Sequence, residues 1–216
     1  MSLKAAILPV TPFQQNCTLL WNDDTMRGAV SDPGGDLDRI LQQVEELGIS
    51  LEKVLLTHGH LDHAAAAGEL SRRLDIPIEG PHRDDLFLIS ELPTQSQKYG
   101  FPAFGGFEPD RWLENGDTVE VGGLTFDVRH CPGHTPGHII FFNAQAKLAI
   151  VGDVLFNGSI GRTDFPRGDY NALISSIRER LWPLGDDVTF VPGHGPLSTF
   201  GAERRSNPFV ADELFA

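Results

Sequence analysis

At 216 residues and 40% hydrophobic content, the chain is long enough to bury one substantial core and too short for two large independent domains. A formal charge of −13 repels phosphate backbones and argues against a nucleic-acid-binding face. Only two cysteines occur, Cys17 and Cys131, neither in a CxxC pair, which excludes a disulfide framework and points to a reducing compartment.

The N-terminal MSLKAAILPVTPFQQNC has one Lys and a short apolar run interrupted by Pro9 and Pro12, so it reads as a first strand rather than a secretory signal. Extended segments are expected at 5–10, 17–21, 28–31 and 54–57. Between the third and fourth, Leu37, Ile40, Leu41, Val44 and Leu47 share one face of a helix that Gly48 stops. Residues 64–74 are Ala-rich and helical in character. His82, in PHRDD, marks a helix start and is expected to be exposed. The stretch 93–109, rich in Pro, Gly and aromatics, is expected to be a loop over one face. Further strands are expected at 118–121, 124–130, 138–142, 148–151 and 188–191, with a third helix at 170–181 carrying Leu173, Ile174, Ile177 and Leu181 on one side. No apolar stretch approaches the roughly 20 residues that span a bilayer. The expectation is one mixed α/β domain covering 1–216, cytoplasmic and without membrane contact.

The chemistry concentrates in THGHLDH, residues 57–63, which follows the apolar run Val54, Leu55, Leu56. At a strand end His58 and His60 point to one side, while Asp62 and His63 turn into the next segment and face a second point. Imidazoles and carboxylates suit Zn, Mn or Fe and require no thiolate. One segment cannot complete two sites, so more ligands must come from elsewhere. The candidates sit at strand ends flanked by Gly or Pro: His130, His134 and His138 in HCPGHTPGH, Asp153 in VGD, and His194 in PGHG. His134, Asp153 and His194 are taken as ligands. His130 and His138 are assigned packing or supporting roles, with His138 and Thr135 as candidates to orient ligands through hydrogen bonds. Cys131 is read as a small buried hydrophobe.

These four ordered motifs resemble those of the metallo-β-lactamase superfamily. Within it, QQNCTLL, DPGG, GRTDF and the ERRSNPF ending make the chain similar to the glyoxalase II group of hydroxyacylglutathione hydrolases, in its short bacterial form. The resemblance implies an αββα sandwich, two mixed β-sheets flanked by helices, with a binuclear site along one edge. It assigns His58, His60 and His134 to one metal, Asp62, His63 and His194 to the other, and Asp153 as the bridge. Two divalent ions are implied, Zn first, with Fe or Mn as alternatives. Two-domain relatives continue into a helical glutathione-binding domain, whereas about twenty residues follow His194 here, so a form without that domain is expected. Arg162, in the GRTDF loop, matches a basic substrate-binding position, while Asp164 departs from the aromatic found there in the two-domain enzymes.

The expected activity is hydrolysis of a glutathione-derived thioester such as S-lactoylglutathione, as in methylglyoxal detoxification. A metal-bridging hydroxide, oriented by Asp62 and Asp153, is the nucleophile. A thiol leaves without a general acid because its pKa is about 8.5. The competing readings are a mono-iron persulfide dioxygenase using His58, His134 and Asp153, a phosphodiesterase or nuclease, and a metal-binding regulator without turnover. The oligomeric expectation is a monomer or small homo-oligomer.

Overall fold

The computed structural model describes residues 2–102 and 104–215. Strands β1 (Leu3–Val10), β2 (Gln15–Asn22), β3 (Arg27–Ser31), β4 (Ser50–Leu55) and β5 (Ile78–Glu79) form a five-stranded sheet in that order. Its first two pairings are antiparallel and its last two parallel. The second sheet uses β6 (Thr118–Val121), β7 (Leu124–His130), β8 (Ile139–Asn143), β9 (Leu148–Gly152), β12 (Thr189–Pro192) and β13 (Ser198–Thr199). Its spatial order is β13-β12-β9-β8-β7-β6, with β9 and β12 the parallel pair. Between β9 and β12 lies a short hairpin, β10 (Leu155–Phe156) with β11 (Ser159–Ile160).

The alternation of side chains along each strand builds the layers. On β8, Ile139 and Phe141 enter the cluster between the sheets, while Ile140 and Phe142 face the opposite way. On β2, Leu20 joins the same inter-sheet cluster, and Leu19 and Trp21 join another on the outer face. Helices α1 (Leu37–Leu47), α2 (Leu61–Ala64), α3 (Ala67–Leu74) and α4 (Leu86–Tyr99) cover that outer face through Ile40, Leu61, Leu70 and Ile89. Helices α5 (Tyr170–Ser176) and α6 (Phe200–Ser206) cover the second sheet through Leu173, Ile174 and Phe200. Three apolar clusters thus separate four layers in the order αββα.

The first helix ends as its spacing predicts, with Gly48 at φ 65° and its N–H on the carbonyls of Glu45 and Val44. The expectation for 93–109 needs correction over its first part. Helix α4 runs through Pro93 to Tyr99 because Leu88, Ile89, Leu92 and Ser96, spaced by one to four residues, are all buried. That burial offsets the hydrogen bond Pro93 cannot donate. The third predicted helix is regular only to Ser176 and widens into a π turn over Ile177–Leu181. No helix among the described residues is long and apolar enough to cross a membrane.

Candidate metal centre

The carboxyl ends of β3, β4, β9 and β12 open on one edge of the sandwich, and each delivers a polar side chain there: Asp32, His58 with His60, Asp153, and His194. The turn between β7 and β8 adds His134, and α2, which begins one residue after His60, adds Asp62 and His63. The seven residues singled out from the sequence as ligands therefore lie together.

They form two groups. His60 Nδ1 lies 3.1 Å from His58 Nε2 and 2.9 Å from His134 Nε2. Ligand nitrogens around a tetrahedral zinc, at Zn–N of about 2.0–2.1 Å, stand about 3.3 Å apart, so this cluster has close to the span one ion requires. In the second group, His194 Nε2 is 3.2 Å and His63 Nε2 3.9 Å from Asp62 Oδ2. Asp153 stands between the groups. Its Oδ1 is 3.3 Å from His63 Nε2, and its Oδ2 is 3.5 Å from His134 Nε2 and 3.7 Å from His194 Nε2. Close approach makes this possible: a Cβ on Gly193 would stand 2.0 Å from Asp153 Oδ1, so only glycine lets the β12 loop pass there.

Hydrogen bonds on the far side of each ring settle the tautomers. His134 Nδ1 donates to the Arg162 carbonyl at 2.8 Å, and His194 Nδ1 donates to the Phe13 carbonyl at 3.1 Å. His63 Nδ1 donates to Asp32 Oδ2 at 3.0 Å. The Thr57 hydroxyl commits its proton to the same Asp32 oxygen at 2.6 Å, so it accepts from His58 Nδ1 at 3.1 Å. In all four rings Nδ1 carries a proton, so Nε2 is the atom that faces the cluster and offers its lone pair there when the ring is neutral. His63 Nε2 and Asp153 Oδ1 are buried and without a hydrogen-bond partner, an arrangement that costs about 1–3 kcal/mol per group unless something binds both. An ion between such lone pairs removes that penalty, so the residues present fit a metal.

Protonation states agree with a ligand set. Burial pushes His58 and His134 below the usual imidazole range and His60 down to about 3, so all three are neutral. Burial would favour the neutral acid at Asp153, but His63, His134 and His194 hold it well below the usual carboxylate range. Asp62 is lowered despite its burial, chiefly by His63. His63 and His194 are raised against their burial by Asp153 and Asp62. The same carboxylates would favour a cation of any kind at that point.

Two residues that hold the site were not distinguished by the sequence. Asp32, in the DPGG motif, accepts from Thr57 N at 2.8 Å besides the Thr57 hydroxyl and His63. Its place at a strand end before Pro and Gly is the same signal that marked Asp153 and His194. Asp85, at the start of α4, is fully buried and accepts from Gly59 N, Thr135 Oγ1 and Gly137 N at 2.9, 2.8 and 2.6 Å. Burial pushes its carboxyl up to about 6 in spite of those bonds. It ties the His58 turn to the His134 turn, and nothing local marks it.

The expected supporting roles are also refined. His138 is buried, stacks on His58 at 4.5 Å and accepts from Asp153 N at 3.0 Å, so it aims Asp153 through the backbone. Thr135 bonds to Asp85 and to no ligand. Cys131 is fully buried, its thiol pushed up to about 12 by burial. His82 is half-buried rather than exposed: it stacks face to face on His130 at 4.2 Å and bonds to Glu114 at 2.9 Å. With rings parallel to within 15°, the in-plane lone pairs of His82 and His130 do not converge on one ion. Arg162 stands at the rim, forked onto Asp164 at 2.8 and 2.9 Å and stacked 4.5 Å from the Phe165 ring. Phe165 in turn lies 5.1 Å from His60 and 5.9 Å from His134, forming an apolar wall of the site.

Comparison with known proteins places these features among related chains. The sequence profile described as the metallo-β-lactamase superfamily matches residues 10–194. A hydroxyacylglutathione hydrolase, GloC of Haemophilus influenzae, is 52% identical over 205 residues, covering 94% of this chain and 96% of that protein. Among solved structures, the BLEG-1 B3 metallo-β-lactamase superposes with a TM-score of 0.87 at 33% identity, over 96% of this chain and 99% of the other. A second, crystallised in a di-iron-bound form, gives 0.85 at 35% identity, over 95% and 100%.

Proposed function

This chain belongs to the metallo-β-lactamase superfamily, and from that premise we propose that it is a metal-dependent thioester hydrolase acting on hydroxyacylglutathione, with S-lactoylglutathione as its substrate. The observation that carries the reading is the position of Asp153 between the two clusters, with Oδ1 beside His63 of the second and Oδ2 within 3.7 Å of both His134 of the first and His194 of the second. Similarity to a hydroxyacylglutathione hydrolase at 52% identity over almost the whole chain supports the substrate class.

His58, His60 and His134 would hold one ion, Asp62, His63 and His194 a second, and Asp153 would reach both. Zinc suits this nitrogen and oxygen set, and iron or manganese suits it too. Such a pair supplies hydroxide at neutral pH and polarises a carbonyl. The remaining work falls to the chain. Asp32, Thr57 and the carbonyls of Arg162 and Phe13 keep the imidazole protons on the side away from the substrate. Asp62 and Asp153, both ionised, would accept hydrogen bonds from a water held between them and so orient its lone pair. Phe165 covers His60 and His134 and keeps bulk water from that side. A thiolate departs without protonation, which suits a thioester better than an amide.

The test pairs elemental analysis of the purified protein with an S-lactoylglutathione hydrolysis assay. Two metal equivalents and thioester cleavage are expected, both lost in Asp153→Ala. One iron per chain with oxygen consumption on a glutathione persulfide, and no thioesterase activity, would overturn the reading in favour of the mono-iron dioxygenase.

A further inference from the structure

An open cleft of about 460 Å³ is lined by Arg83, Leu86, Phe87, Pro136 and Arg167. Its walls are the segments that carry or brace the cluster. Pro136 follows His134 by two residues, Leu86 follows Asp85, which holds the Gly59 turn, and Arg167 shares a tight turn with Phe165. A substrate whose reacting carbonyl sits at the cluster has this cleft as a place for its tail.

The two arginines are unusual in so acidic a chain, with 17 basic against 30 acidic side chains. Neither makes an ion pair among the described residues, although Asp84 also lines the cleft. Asp84 instead lies 3.4 Å from His82. By contrast Arg162 is already matched by Asp164. The Arg167 guanidinium stacks 4.2 Å from the Phe87 ring and that of Arg83 lies 5.8 Å from Trp112. Stacking fixes a guanidinium by its face and leaves its N–H edge free, the edge that meets a carboxylate in two parallel hydrogen bonds.

The backbone at Arg167 adds an independent sign. Gly168 N bonds to the Phe165 carbonyl at 2.9 Å, closing a turn with Pro166 second and Arg167 third at φ 64°. That is the pattern of a type II turn, whose third position takes Gly because φ is positive. An arginine held there is strained, and such strain persists where the side chain has a use.

We infer that Arg83 and Arg167 form the docking site for the carboxylates of the thiol half of the substrate, a peptide thiol of the glutathione type. The inference rests on the hydrolase reading above and names the residues that hold the tail in the described chain.

Arg167→Gly is the decisive variant, because glycine suits the turn and the protein should melt at the same temperature or higher. With S-lactoylglutathione, Arg167→Gly and Arg83→Ala should each raise KM about tenfold and the double variant more, with kcat within about twofold. With S-lactoyl-N-acetylcysteamine, which has no carboxylate, kcat/KM should not change. Titration of glutathione itself into the metal-loaded protein should show the same tenfold weakening. An unchanged KM for S-lactoylglutathione, or equal losses on both thioesters, overturns the docking site while leaving the hydrolase intact. If the native protein cleaves neither thioester, the hydrolase reading fails. The glutathione titration then decides the cleft alone: weakening in Arg167→Gly sustains it, and equal or absent binding in native and variant protein removes it.

Discussion

Asp32→Asn tests the proton arrangement on which the second cluster depends. The native carboxylate takes Thr57 N–H on Oδ1, and the Thr57 hydroxyl and His63 Nδ1–H on Oδ2. Asparagine keeps the first bond through its carbonyl and presents an NH₂ where Oδ2 stood. A donor then faces His63 Nδ1, and the ring answers by moving its proton to Nε2, the atom 3.3 Å from Asp153. Two charge-assisted hydrogen bonds of about 1.5–3 kcal/mol each become neutral ones worth about 1 kcal/mol, a net loss of about 1–4 kcal/mol. For a chain of this length each kcal/mol lowers Tm by about 2–4 °C. The effect on the metal is larger, since losing an orienting partner costs roughly 10–100-fold in affinity and the reversed tautomer adds to it. The variant should keep one tightly bound equivalent, held by His58, His60 and His134, and lose the other at chelator concentrations that leave the native protein fully loaded. Elemental analysis after graded chelator dialysis measures this. Two equivalents retained at native affinity would refute the tautomer argument.

Other perturbations probe different supports. Gly193→Ala drives a methyl into Asp153 Oδ1 and His63 Cε1, at 2.0 and 2.7 Å, and should reduce kcat/KM about 100-fold while far-ultraviolet circular dichroism stays native. His138→Ala leaves Asp153 N without an acceptor and removes the ring stacked on His58, so Tm should fall by the equivalent of about 2–4 kcal/mol. Metal content near the native value in that variant is expected, and its complete loss would make His138 a ligand after all. Acid should unfold the metal-free protein. Burial holds His58 and His138 well below the usual imidazole range and His60 at about 3. The unfolded chain therefore takes up their protons first. That part of the stability is present above about pH 6.5 and drains away as pH falls toward 3, by about 1.4 kcal/mol per pH unit for each group. The lowered Asp62 and Asp153 act in the same direction at lower pH, whereas the raised His63 and His194 act oppositely, losing their contribution as pH rises. Thermal melts of chelated protein between pH 7 and 4 measure the balance, and a flat or rising Tm on acidification would contradict it.

Most of the layer architecture was legible because it rests on short-range periodicity. Alternation along β2 and β8 sorts their side chains into separate clusters, and the spacing from Leu37 to Leu47 with Gly48 behind it ends a helix where it does end. The part misread, the first half of 93–109, failed because Pro93 is a local signal against a helix that nonlocal burial of Ile89 and Leu92 supports.

The candidate donor set was likewise legible in the chain alone: THGHLDH following an apolar run, and His134, Asp153 and His194 at other strand ends. What only the tertiary structure decided is direction. Whether an imidazole nitrogen points at an ion depends on what its other nitrogen meets, and those partners are far away in sequence: Asp32 for His63, the Arg162 carbonyl for His134, the Phe13 carbonyl for His194. The fate of charges is decided the same way. Arg162, the anion grip expected from the sequence, spends its fork on Asp164, while Arg83 and Arg167, unmarked and 84 positions apart, line one cleft and make no ion pair among the described residues.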